Sequence, residues 1–255
     1  MKNAAILYDA TLCIGCLECE RGCAAANNLP YDDTIAREKT TSEHKYTYVA
    51  VLGGEKYMRR LCMHCNDPAC ASVCPVGALH KTALGPVVYD ASKCMGCRYC
   101  MVACPFNIPK YEWSKAIPAV RKCIGCYERQ AAGKPTACAE ACPTGATICG
   151  ERSALLAEAR KRLSENPAAY VDHIYGEKEL GGTSNLFLSS VDFGKAGLPT
   201  HYGNQPLPPL TGNVLAHVPD VATIGMAVLG GVYWITHRRE EVAAAEGAEK
   251  DQKKG

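Results

Sequence analysis

The chain has 255 residues, a net charge of +2 and 17 cysteines, but only 3 Phe and 2 Trp. That length suits one large domain or two small ones, and so weak a charge, with no basic stripe, argues against nucleic acid as the main partner. With so few aromatic residues, something other than side-chain burial must order the cysteine-rich part, and metal ligation supplies folding energy directly.

The opening stretch MKNAAILYDATLCIGC has no charged n-region, apolar h-region or twin arginine. A small secreted disulfide scaffold is therefore not expected. Four cysteine runs then dominate the chain up to residue 150. Run one is Cys13-x2-Cys16-x2-Cys19-x3-Cys23. Run two is Cys62-x2-Cys65-x4-Cys70-x3-Cys74, and run three is Cys94-x2-Cys97-x2-Cys100-x3-Cys104. Run four is Cys123-x2-Cys126, a longer gap, then Cys138-x3-Cys142. Pro75, Pro105 and Pro143 follow the last three runs, whereas run one continues as AAANN. Cys149 is left over and reads as a small buried residue.

Between runs one and two, HKYTYVAVLGGEKYMRRL predicts a hairpin. Tyr46, Tyr48 and Val51 are strand formers, and Gly53-Gly54 marks the turn. The gap in run four, YERQAAGKPTA, reads as a surface excursion before Cys138, since a longer loop returns a ligand at small entropic cost. A helix is predicted from Ser153 as N-cap to Ser164, with Leu155, Leu156, Ala159 and Leu163 on one face. Residues 165 to 218 read as an ordered but irregular extension with strand-like pieces in YVDHIYGEKELGGTSNLFLSS. Val221 to Thr236 contains no charge. It falls short of the ~20 apolar residues that span a bilayer, but Tyr233 and Trp234 suit a membrane interface, with Arg238 and Arg239 just beyond. It reads as a single membrane anchor, with a buried or partner-docking helix as the alternative. Gly230-Gly231 would allow close contact with another membrane helix. The polar end, EEVAAAEGAEKDQKKG, reads as a solvated helix or a disordered tail.

An iron–sulfur cubane needs one thiolate for each iron. A CxxCxxC loop supplies three, and its backbone N–H groups stabilise the anionic cluster. Small residues at Ile14-Gly15, Met95-Gly96 and Ile124-Gly125 let the backbone approach. The cysteine three residues on leads away from that cluster and, in the two-cluster ferredoxin arrangement, ligates the other one. The proline after it stops simple helix continuation. The runs should therefore work in pairs, each exchanging its last cysteine. Zinc knuckles also use CxxC pairs, but have no need of a third cysteine at x2 and a fourth at x3 before proline. His64 lies between Cys62 and Cys65 and reads as a packing or hydrogen-bonding residue, since its run already has four cysteines. Lys93, Arg98, Arg121 and Lys122 lie near the runs, where they either raise cluster potentials or serve as solvated surface charge. The sequence carries no Ser-His-Asp signature, Walker loop or GxGxxG fingerprint, so a non-catalytic electron carrier is expected rather than an enzyme with its own substrate site.

The four runs, with CMHCNDPAC, GCRYCMVACPFNIPKY and KPTACAEACPTGA, resemble the four-cluster iron–sulfur subunits of bacterial respiratory enzymes. Over residues 8 to 150 the resemblance is highly specific. The extension NPAAYVDHIYGEKELGGTSNLFLS and the apolar C-terminal stretch look most like the hydrogenase-2-type and formate dehydrogenase-N-type subunits. The resemblance implies an α+β fold of two bis-[4Fe-4S] ferredoxin-like modules. One comprises residues 1–36 and 120–150, and the other residues 37–119. An irregular extension at 151–218, a transmembrane anchor at 219–237 and a polar tail at 238–255 would follow. It pairs run one with run four and run two with run three, for four [4Fe-4S] clusters. The first takes Cys13, Cys16, Cys19 and Cys142, and the second Cys123, Cys126, Cys138 and Cys23. The third takes Cys62, Cys65, Cys70 and Cys104, and the fourth Cys94, Cys97, Cys100 and Cys74.

The implied function is electron transfer between a catalytic subunit, a nickel–iron hydrogenase or a molybdopterin enzyme, and a quinone-reactive membrane subunit. The first pair would face the catalytic subunit and the second the membrane. The alternative is the soluble-side subunit of a sulfur- or sulfoxide-type reductase, docked without spanning the membrane. Arg238 and Arg239 after the apolar stretch, and Asp220 before it, put the tail in the cytoplasm and the clusters on the periplasmic face of the inner membrane. Export would then ride with a partner bearing a twin-arginine signal.

Overall fold

A computed structural model describes residues 3–115 and 118–252, with side chains through Glu246. In chain order its principal elements are β1 (Ala4–Asp9), α1 (Glu18–Ala26), α2 (Asp33–Arg37), β2 (Tyr48–Gly53), β3 (Lys56–Arg60), α3 (Ala69–Ser72), β4 (Leu79–Lys81) and β5 (Val87–Tyr89). Then come α4 (Tyr99–Ala103), β6 (Lys110–Tyr111), β7 (Val120–Arg121), α5 (Tyr127–Ala131), α6 (Ala137–Glu140), β8 (Thr147–Glu151), α7 (Arg152–Glu165), β9 (Asn185–Leu188), α8 (Pro208–Leu215) and α9 (Val218–Gln252). The chain divides into two units, Met1–Pro208 and Pro209–Gly255.

The first unit mixes short helices with small sheets. Its main sheet places β1 between β8, antiparallel, and β9, parallel. Successive side chains of a strand point to opposite faces, and β1 is apolar on both. Ile6 and Tyr8 join Met58, Met63, Tyr175 and Phe187 in one core cluster. Ala5 and Leu7 join Leu155, Leu156, Ala159, Leu186 and Leu188 in another. The second cluster contains the apolar face of α7, as its periodicity predicts. Ser153, however, is not the N-cap. The strand β8 runs directly into α7, so Glu151 takes that position without a side-chain cap, and the Ser153 hydroxyl donates to Glu151 Oε1 (3.1 Å) from inside the first turn. Cys149 is only half-buried, because β8 is an edge strand.

The expected hairpin is β2–β3, paired from Tyr48↔Arg60 to Gly53↔Lys56, with Gly53 and Gly54 at positive φ. The insert in run four forms the short helix α5 and then an exposed turn, but it also buries Gln130. The stretch from 165 onward does more than extend the fold. It supplies β9, and the residues entering β9 grip run two. Ser184 N–H donates to His64 O (3.1 Å), Asn185 N–H to Met63 O (3.2 Å) and Asn185 Nδ2 to Cys62 O (2.5 Å).

The helices of the runs pack in twos, α1 against α6 and α3 against α4. A Cβ added at Gly22 of α1 would sit 2.8 Å from Ala141 Cβ, just beyond α6, so glycine sets that approach. A buried ion pair anchors α1 to its surroundings. Lys45 Nζ lies 2.9 Å from Glu20 Oε2, with the two side chains 2% and 1% exposed. Lys45 also donates to the carbonyls of Ile35, Ala36 and Glu38 at the end of α2. Glu20 accepts from the Val49 N–H (2.7 Å) and the Tyr31 hydroxyl (2.8 Å). A buried pair is tolerable when its remaining donors and acceptors are satisfied in this way.

In the second unit, α9 runs unbroken from Val218 through the apolar stretch and on to Gln252. The polar tail is thus helical to that point, and residues 253–255 lie outside the described residues. The segment Pro208–Glu246 is long and apolar enough to cross a membrane, by length and composition.

Glu20→Ala would leave the Lys45 ammonium buried and unpaired, which costs roughly 3–5 kcal/mol. The anaerobic thermal midpoint of the first unit is expected to fall by roughly 6–20 °C. Glu20→Gln, which keeps an oxygen acceptor beside Lys45 and the Val49 N–H, should lose less.

Candidate metal centres

The four runs build the same local device. The residue before the second cysteine is left-handed in each, with φ of 68° at Gly15, 76° at Gly96, 67° at Gly125 and 48° at His64. This turn folds the CxxC loop inward. A Cβ on Gly15 would lie 2.4 Å from the Tyr57 ring, and one on Gly125 2.8 Å from Pro86. The third cysteine of each run then lies in a short helix, α1, α3, α4 or α6. The last two cysteines are four apart in every run, about one helical turn, so they emerge on one side but reach to different places.

Run one differs after its fourth cysteine. The helix α1 continues past Cys23 to Ala26, and Asn27 Nδ2 donates to Cys23 O (2.7 Å) and lies 3.7 Å from Cys23 Sγ. In the other runs the chain turns back through Gly77, Asn107 and Gly145, all left-handed. Backbone N–H groups of those turns face the last thiol, as Thr147 N–H does to Cys142 Sγ (3.4 Å). At Cys74 and Cys142 burial raises the thiol, but these donors outweigh it and hold both below the ordinary value.

The structure brings the thiols together in sets drawn from two runs. Cys23, Cys123, Cys126 and Cys138 line one cavity with Ile6, Thr47 and Arg59. Cys74, Cys94, Cys97 and Cys100 line another with Leu79 and Val120. Burial raises the Cys65 thiol, and the Cys62, Cys104 and Cys70 thiols add to the rise. Cys13, Cys19 and Cys142 pack on the core cluster that holds Tyr8 and Cys138, as do Cys65 and Cys149, and Cys16 lies at the exposed surface. Thiols of different runs also influence one another electrostatically. Burial pushes Cys19 up to about 11, Arg59 opposing, with Cys138 adding to the rise. Burial and then Cys62 push Cys123 up to about 12. Burial and then Cys62 push Cys70 up to about 12, with a smaller contribution from Cys100. These influences link thiols of different runs. Among the cysteines, only Cys16 and Cys97 are exposed.

Buried cations lie among these thiols. Arg59 is 1% exposed, donates to Thr47 Oγ1 (3.0 Å) and Thr147 Oγ1 (3.3 Å), and has its charge held on by Cys138, Cys19 and Cys23 despite burial. Lys122 is buried and donates to Val87 O (2.5 Å) and Cys123 O (2.8 Å). Of the other cations considered from sequence, Lys93 pairs with Asp90 (3.3 Å) and Arg121 with Glu112 (2.8 Å). The Arg98 guanidinium stacks over Tyr111 and Trp113, at 4.6 and 4.4 Å from the ring centroids. Arg59 escapes sequence reasoning because MRRL gives no sign of which arginine faces inward.

These donor sets fit iron–sulfur clusters. Soft thiolates in groups, with backbone N–H groups aimed at sulfur, suit an anionic cluster. Among the described residues no three His, Cys, Asp or Glu side chains converge as ligands of a single ion; the sets surround a volume instead.

Residues 55–152 match the family model of a 4Fe-4S dicluster domain. The chain is 43% identical to a protein of Nitratidesulfovibrio vulgaris, over 96% of this chain and 70% of that one. It is 38% identical to the hydrogenase-2 operon protein HybA of Escherichia coli O157:H7, over 76% of this chain and 72% of that one. With the iron–sulfur subunit of the nitrate-inducible formate dehydrogenase of Escherichia coli K12 it shares 32% identity, over 73% and 68%. The chain belongs to the family of [4Fe-4S] electron-transfer subunits of oxidoreductases. It carries several such clusters, and the buried thiols of the first unit are the groups available to hold them.

Removing the iron leaves those thiols buried against one another with no cation between them. Anaerobic treatment with acid or chelator is expected to open the first unit, because ligand binding and folding are one process in such sites. Limited proteolysis should then cut within Met1–Pro208 at sites protected in the iron-loaded protein.

Proposed function

We propose that this chain is a linear four-cluster wire within a membrane oxidoreductase. The observation that carries the reading is the pair of cavities that are each lined by cysteines of two runs. Each set would hold one [4Fe-4S] cluster. In order along the row these are Cys13, Cys16, Cys19 and Cys142; Cys123, Cys126, Cys138 and Cys23; Cys62, Cys65, Cys70 and Cys104; and Cys94, Cys97, Cys100 and Cys74. Runs one and four then form one ferredoxin-like module, and runs two and three the other. The packing of α1 on α6 and of α3 on α4 supports that division.

A bound cubane supplies a centre that accepts and releases one electron. The protein fixes the spacing of the centres, excludes water from the inner two sets and places Arg59 and Lys122 where a reduced centre is more negative. The exposed ends beside Cys16 and Cys97 are the places where electrons enter and leave.

The relatives point to the partners. By resemblance to HybA and to the formate dehydrogenase subunit, the catalytic partner is a nickel–iron hydrogenase or a molybdopterin enzyme, and the other end serves a quinone-reactive membrane subunit. The apolar part of α9 crosses the inner membrane once, with Arg238 and Arg239 on the cytoplasmic side. The cluster-bearing unit then faces the periplasm and reaches it with a twin-arginine partner.

The anaerobically purified chain should hold about 16 iron atoms, four for each cubane. Cys23→Ser should perturb the same electron paramagnetic resonance (EPR) signal as Cys123→Ser, and Cys13→Ser a different one. If Cys23→Ser and Cys13→Ser disturb one common centre, the exchange between runs is wrong. Protease added to intact spheroplasts should digest the first unit, and its protection there would contradict the periplasmic orientation.

A further inference from the structure

His64 breaks the pattern of the runs. Three of the four runs place glycine before the second cysteine, in the left-handed region that glycine adopts freely. Run two places His64 there at φ 48°, a conformation that is uncommon for any residue with a side chain. The histidine is 2% exposed, so a large polar ring has been buried in a strained position. Its hydrogen bonds account for that.

The ring is held at both nitrogens. The Val87 N–H points at Nδ1 (2.9 Å). A backbone amide can only donate, so Nδ1 is an acceptor and carries no hydrogen. The neutral ring must then carry its hydrogen on Nε2, and Nε2 lies 3.5 Å from Cys123 Sγ. The contact is an N–H···S bond from the loop of run two to the first cysteine of run four. Cys123 Sγ also accepts from the Gly125 N–H of its own loop (3.3 Å).

The backbone around the ring is equally fixed. His64 O accepts from both Lys81 Nζ and the Ser184 N–H. The preceding carbonyls of Cys62 and Met63 are held by Asn185. On the far side, a Cβ at Gly125 would lie 3.3 Å from His64 Nε2, so glycine there keeps the path to sulfur open. The entry to β9 and the hairpin β4–β5 thus aim one ring nitrogen at one sulfur.

We propose that His64 is a positioning residue for electron transfer, joining the two inner centres through its Nε2–H···Sγ bond to Cys123. The bond draws charge from the Cys123 thiolate and makes its centre easier to reduce, as hydrogen bonds to cluster sulfurs do. It also couples that centre by covalent and hydrogen bonds to the loop carrying Cys62 and Cys65. The inner step of the row therefore crosses a defined bridge. This rests on the reading of Cys123 as a cluster ligand.

The test is a redox titration followed by EPR on the full, iron-loaded chain and its His64→Leu and His64→Gln variants, with Cys123→Ser as a marker. His64→Leu should shift the reduction equilibrium of one centre toward the oxidised form by about tenfold, which is 59 mV for one electron. The signal that moves should be the one perturbed by Cys123→Ser. His64→Gln keeps an N–H donor and should recover part of the shift. An iron-loaded His64→Leu with every midpoint unchanged overturns the inference. Loss of iron in both variants, with unshifted midpoints in the clusters that remain, also overturns it, because the role would then be structural only. If Cys123→Ser itself leaves all centres untouched, the ligand reading has failed first.

Discussion

A buried thiolate is stable only beside positive charge, and this fold buries thiols in quantity. Burial, with repulsion between neighbouring thiols, raises Cys19, Cys70, Cys100 and Cys123. Iron–sulfur clusters satisfy them at that density, and the rest of the first unit follows from that. The cysteine loops need left-handed turns, the turns need close neighbours such as Tyr57 and Pro86, and the apolar clusters fill in behind them. Three Phe and two Trp suffice because the metal centres take the place of a conventional core.

The protein's own charges are placed against this background. Arg59 lies among Cys19, Cys23 and Cys138, and Lys122 beside Cys123. The other buried cation, Lys45, is fully engaged by Glu20 and three carbonyls, so it serves the fold rather than the thiols. Buried arginine or lysine without such partners would be untenable. The positions of these cations therefore separate electrostatic tuning from scaffolding.

Much of this was legible in the sequence, because cysteine spacing and glycine turns are local signals. The hairpin at Gly53-Gly54 and the face of α7 follow from period and turn chemistry. Long-range pairings were not legible. Nothing in NLFL says that it lies parallel to AAILYD, some 180 residues earlier, and nothing in SN says that it grips the loop of run two. Ser153 looked like a cap because local rules cannot see that β8 leads directly into the helix. The orientation of Arg59 rather than Arg60 toward the core depends on the register of β3, which the turn sets only once the whole hairpin is packed.

In the proposed wire each centre takes sulfur from two runs and the centres stand in a row. The most direct test is the iron anomalous map from a crystal of the anaerobic, iron-loaded protein. It should show four iron centres in succession, the first beside Cys16 and the last beside Cys97, with Cys23 and Cys123 on the same centre. A centre whose four sulfurs all come from one run would contradict it.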